Sequence, residues 1–229
     1  TLRNTLKMDE LITRHSAIMD KYDPQKRVGL VVDEWGVWTD VESGTNPGFL
    51  YQQNSLRDAI LAAMNLHMFQ AHADRVTMAN IAQMINVLQA MILTDKETMI
   101  VTPTYHVFDM LKVHQGATSL PLQLIAPDYV FGPDRIPAIS ASASRDASGK
   151  IHLSLTNADP KNAIALTCRL AGATAKSVSG TVLTAPDFTA HNTFAEPNVV
   201  RPEPFHDATV TADGLSITLP AKSVVMLEL

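Results

Sequence analysis

The stretch Val28-Gly29-Leu30-Val31-Val32-Asp33-Glu34-Trp35-Gly36-Val37-Trp38 decides the reading of the whole chain. Its first five residues form an unbroken apolar run, which suits a strand covered on both faces, as in a parallel sheet. The run ends in two carboxylates, and the C-terminal ends of parallel strands are where α/β barrels place their catalytic groups. Both tryptophans of the chain lie within four residues of Glu34. A flat aromatic face suits the apolar C–H face of a sugar ring. Cleaving a glycosidic bond takes one carboxylate to attack or stabilise the anomeric carbon and a second to donate a proton. Neighbours along a strand alternate in direction, so Asp33 and Glu34 are expected to face opposite sides. One would face the site and the other would hold its surroundings. The same acidic pair could also serve only as a helix cap or a solvated loop.

Outward from this strand the pattern is that of an α/β fold. Leu2, Leu6, Leu11, His15, Ile18 and Tyr22 recur at helical spacing, predicting a helix over residues 1–22 that Pro24 ends. A second helix is expected from Asn54 to Ala73. Ser55 and Asp58 stand there at capping-box spacing, and Leu56, Ile60, Ala63 and Met64 form the inner face. A strand fits Arg75 to Asn80, helical material fits Ile81 to Leu93, and a helix fits Pro103 to His114. The order helix, strand, helix, strand, helix implies parallel strands.

After Gly116 the rhythm changes to period two. Ile151-His152-Leu153-Ser154-Leu155-Thr156 alternates apolar and polar residues, and 138–144, 164–170, 177–183, 215–219 and 224–229 read similarly. Several short strands separated by turns such as Asp146-Ala147-Ser148-Gly149 suggest a β-sandwich. Composition follows the same division: nine of ten methionines precede residue 115 and ten of thirteen prolines follow it. Two domains are therefore expected, 1–115 and 116–229.

The 229 residues are 46% hydrophobic and 18% charged, enough for a sizeable core and unlike a disordered chain. A net charge of −5 without a basic run gives no electrostatic footprint for nucleic acid or an anionic membrane. No apolar stretch reaches the roughly 18 residues of a spanning helix. Cys168 is the only cysteine, so no internal disulfide or thiolate metal site is expected, and it reads as a core residue. His67 and His72, five apart on one helix, do not share a face and make poor joint metal ligands. His106 is expected to make a local capping bond. No glycine-rich phosphate loop or serine nucleophile elbow occurs. Tyr129, Phe131, Phe188, Phe194 and Phe205 are scattered and form no sugar-binding platform. The chain starts at Thr1 with no signal-peptide pattern, so the observed start is not expected to be that of the gene product, and the compartment is left open.

Four blocks in order carry a family resemblance: residues 29–38, the segment Gly44-Thr45-Asn46-Pro47-Gly48-Phe49-Leu50-Tyr51-Gln52-Gln53-Asn54-Ser55-Leu56-Arg57-Asp58-Ala59, the segment from His72 to Gln83, and Thr102-Pro103-Thr104-Tyr105-His106-Val107-Phe108. They resemble α-L-arabinofuranosidases of glycoside hydrolase family 51. The ending, residues 219–229, and Asn192-Thr193-Phe194 are similar but less distinctive.

The resemblance implies the C-terminal portion of a (β/α)8 barrel, strands seven and eight, followed by a β-sandwich of jelly-roll type. It implies a retaining exo-glycosidase acting on arabinan, arabinoxylan or their oligosaccharides, with Glu34 as nucleophile. Trp38 and Gln83 would contact the sugar, and Asp33 would orient the loop. No cofactor or metal is implied. A homo-oligomer is.

The family's acid/base glutamate sits in an Asn-Glu pair, and no such pair occurs in this sequence. A barrel needs about 250 residues, far more than precede the sandwich. The acid and strands one to six are thus expected on an N-terminal piece of the same enzyme. A non-catalytic fragment or a sandwich module contacting polysaccharide is the alternative.

Overall fold

A computed structural model describes all 229 residues. The first half comprises α1 (Leu2–Thr5), α2 (Lys7–Tyr22), β1 (Leu30–Trp35), α3 (Leu56–Ala71), β2 (Val76–Ile81), the hairpin β3 (Ile92–Asp95) and β4 (Thr98–Val101), and α4 (Pro103–Leu111). β1 and β2 pair in parallel as a two-stranded sheet. α3 begins where the Asp58 carboxylate accepts from Ser55 N–H at 2.7 Å and from Ser55 Oγ at 3.1 Å. Pro103 opens α4 at the position where a missing N–H costs nothing.

The second half comprises β5 (Thr118–Ser119), β6 (Asp128–Phe131), β7 (Asp134–Pro137), β8 (Ile139–Arg145), β9 (Ile151–Asn157), β10 (Ile164–Arg169), β11 (Ser179–Leu183), β12 (Glu203–Pro204), β13 (Ala208–Thr211), β14 (Gly214–Leu219) and β15 (Ser223–Glu228). An antiparallel six-stranded sheet runs β12-β11-β15-β9-β8-β5, and a three-stranded one runs β10-β14-β13. One face of the larger sheet (Ile139, Leu153, Leu155, Val182, Val225, Leu227) shares a core with Leu215, Ile217 and Leu219 of the smaller. Cys168 is half-buried against this core, and burial pushes its thiol pKa up.

The opposite face of the larger sheet carries Ser140, Ser142, Ser144 and Ser154 and meets the helical half. His67 Nδ1 on α3 lies 2.9 Å from Ser140 Oγ. The His114 ring bridges Ser144 Oγ (2.7 Å) and Ser154 Oγ (2.9 Å). Ile60, Met64, Val107, Val224 and Met226 belong to one core, so the compositional division near residue 116 is not a break in packing. At the other end of β2, buried Arg75 joins the Asp20 and Asp23 carboxylates and the Val28 carbonyl, tying the α2–β1 turn to β2.

Three expectations need correction. Ile81–Leu93 is not helical: β2 runs to Ile81, and irregular chain leads to β3. Asn86 and Leu88 take left-handed φ of 59° and 55°, and their N–H groups go to Ile92 O and Leu50 O, so tertiary bonds replace the helical ladder. The helix expected over 1–22 is divided at Leu6, and only the start of its stripe, Leu2 and Leu6, packs against the core. Ile12 is buried, whereas Leu11, Ile18 and Tyr22 are exposed because nothing in this chain lies against them. The apolar run is not covered on both faces either, since Val28 and Val31 are exposed.

Candidate active site

β1 carries the acidic pair at its C-terminal end, but not in regular alternation. Val32 pairs with Ala79 and Trp35 with Ile81, so three steps on β1 oppose two on β2. The extra residue makes a bulge at Asp33–Glu34, a device that re-aims side chains beside functional sites. Both carboxylates are exposed. Trp35, one residue on, is buried. Its ring stacks on Phe108 at 6.0 Å and meets Phe69 edge-on at 5.3 Å.

Gly36 follows with φ +154°, and a Cβ there would come within 2.2 Å of Gln89 Nε2 and 3.0 Å of Ala82 O. Only glycine lets the chain pass this close to the end of β2. Glu34, Trp35, Gly36, Val37, Trp38, Ala82 and Leu88 line an open hollow of about 390 Å³. Glu34 is the one ionisable side chain in that lining. Trp38 is 66% exposed, with its ring free to meet a ligand.

Of the sequence-derived site residues, Glu34 and Trp38 thus share one hollow. Gln83 is exposed just past Ala82 at the end of β2 and is not part of its lining. His106 makes no capping bond: Thr102 is the N-cap of α4, and His106 Nε2 is buried without a partner.

Residues missed from the sequence hold the loop. Gln52, 1% exposed, donates from Nε2 to Val37 O at 2.9 Å and accepts from Thr39 N–H at 2.8 Å, bracketing Trp38. Asn54 Nδ2 donates to Gln89 O at 3.1 Å and Thr104 Oγ1 at 2.8 Å, tying this segment to the chain after β2 and to α4. Buried amides in an otherwise polar block have no pattern that would single them out. No helix is long and apolar enough to cross a membrane.

The model of the α-L-arabinofuranosidase C-terminal domain matches residues 33–223. The chain belongs to that family. It is 46% identical, over its whole length, to an intracellular exo-α-L-arabinofuranosidase of Bacteroides ovatus, of which it spans 45%. The crystal structure of the family 51 arabinofuranosidase from Xanthomonas axonopodis pv. citri superimposes with a TM-score of 0.96 at 53% identity, covering 98% of this chain and 46% of that one. The α-L-arabinofuranosidase of Thermotoga maritima in complex with arabinose gives 0.85 at 25% identity, over 100% of this chain and 49% of that one. The chain therefore spans about half the length of the relatives it matches, as their C-terminal part. The resemblance seen in the four blocks holds over both halves.

Proposed function

We propose that this chain is the C-terminal part of a retaining exo-glycosidase. It would release terminal α-L-arabinofuranosyl residues from arabinan, arabinoxylan or their oligosaccharides. In this reading β1 and β2 are the seventh and eighth strands of a (β/α)8 barrel, residues 1–115 belong to that barrel, and 116–229 form a jelly-roll sandwich. Glu34 is the nucleophile. The general acid comes from the N-terminal piece of the same enzyme.

One observation carries the proposal. Glu34 stands at the C-terminal end of a parallel strand, exposed, in a hollow it shares with two tryptophans. A carboxylate oxygen of Glu34 attacks the anomeric carbon as the bond to the leaving oxygen breaks, and the acid protonates that oxygen. Water then attacks the same carbon, giving its proton to the conjugate base and freeing Glu34, so two inversions return the starting configuration. Trp38 offers its face to the sugar and Gln83 an amide to its hydroxyls. The names of the relatives support the substrate.

Replacing Glu34 by alanine in the whole enzyme tests this. Turnover of an aryl α-L-arabinofuranoside should fall at least about 1,000-fold, and azide should restore it with inverted product. Unchanged turnover would remove Glu34 from the reaction.

A further inference from the structure

The hollow has one wall on a loop, and the structure shows how that loop is held. Trp38 is exposed, so its own packing does not fix its position. Its peptide neighbours are fixed instead by one buried side chain. The Gln52 amide takes the Thr39 N–H and gives to the Val37 carbonyl, satisfying both of its ends on either side of Trp38. The adjoining segment runs alongside: Glu42 N–H bonds to Tyr51 O at 2.9 Å and Gln53 N–H to Glu42 Oε1 at 3.3 Å.

That segment is in turn held from the sandwich. Between β11 and β12, Phe188 O and Ala190 O accept the N–H groups of Arg57 and Leu56 at 3.0 and 2.9 Å. Those are free donors of the first turn of α3. His191 Nδ1 donates to Thr189 O at 2.9 Å, which leaves Nε2 as an acceptor for Gln53 Nε2 at 2.8 Å.

We propose that Gln52 is a positioning residue for Trp38, acting from a segment that the sandwich loop 188–191 braces. The inference rests on the reading of Trp38 as a wall of the sugar site. It adds that the site's shape is set by an amide that never touches substrate.

The test uses the whole enzyme. Gln52→Met keeps the volume and removes both bonds. KM for an aryl α-L-arabinofuranoside should rise about 5- to 10-fold with kcat within twofold, the signature of lost binding common to ground and transition states. In a Trp38→Ala background the same change should alter KM less than twofold, since the residue it acts through is gone. With 5-fluorotryptophan incorporated, the ¹⁹F resonance of Trp38, assigned by its loss in Trp38→Phe, should shift or broaden in Gln52→Met while that of Trp35 stays.

An unchanged KM, an equal effect in the Trp38→Ala background, or an unmoved Trp38 resonance would each overturn the inference. Should Gln52→Met not fold, Gln52→Glu keeps an acceptor for Thr39 N–H, loses the donor to Val37 O, and carries the same test. An enzyme indifferent to Gln52 but inactivated by Glu34→Ala loses this inference and keeps the reading beneath it.

Discussion

Val31-Val32 and Val224-Val225 are the same dipeptide in strands of two kinds. Val224 and Val225 are fully buried, because β15 lies between β9 and β11, with the smaller sheet on one face and the helices on the other. Val31 is 42% exposed, because β1 has a single neighbour, β2, and no layer over that side chain. An apolar run therefore states what a strand needs, and the rest of the chain decides whether the need is met. The second half meets the need of Val225 within its own two sheets, and that of Val224 with the helices. The parallel pair leaves Val28, Val31 and Met78 open, and so does α2 with Leu11, Ile18 and Tyr22. The relatives it matches are about twice as long.

Acid offers the broadest way to break the closed side of this comparison. Burial pushes the His67 imidazole down to about 3, with His114 adding to the effect, and the His114 imidazole down to about 4, with His152 adding. Both lie under the sheet and are neutral when folded, whereas the unfolded chain binds their protons near 6.5. Stability is thus fully present above pH 6.5. It falls as pH drops from there towards about 4, with a slope approaching about 1.4 kcal/mol per pH unit for each histidine. Asp146, held below the usual carboxylate range chiefly by its bond to His152, adds its own loss only at lower pH. Urea midpoints from pH 7 to 4 should decline, and the slope should flatten in a His67→Gln, His114→Gln double variant.

Single side chains should follow the same division. Leu227→Ala empties a fully buried position in the sandwich core and should cost about 2–5 kcal/mol in chemical denaturation. Val31→Ala is the sharper comparison. In the 229-residue chain it should cost less than about 0.5 kcal/mol, as surface changes do. If β1 is a barrel strand, as proposed above, the same change in the whole enzyme should cost about 2 kcal/mol, because neighbouring strands would then cover Val31. A whole enzyme indifferent to Val31→Ala would mean that this face stays open to water.

Where a segment carries its own period, the sequence shows its structure. β8, β9, β10, β14 and β15 stand within a residue or two of the alternating segments that announce them, and α3 starts at its capping pair. The chain from Ala82 to Met91 defeats such reading, since its apolar residues are ordered by bonds to Leu50 and Ile92 rather than by their own spacing. The hairpin β6–β7 was also hidden, its turn Gly132-Pro133 lying in a proline-rich stretch without alternation. A carboxylate and two tryptophans at the end of an apolar run single out Glu34 and Trp38, and the two line one hollow. The bulge between Val32 and Trp35 cannot be read from the sequence, because it depends on the register with β2.

The two carbonyls that residues 188 and 190 lend to the first turn of α3 bear on how such enzymes can be re-engineered. A chimera spliced where the composition changes would sever that helix from the acceptors it was selected with. Recombination should instead move residues 51–57 and 188–192 together, as one inherited unit.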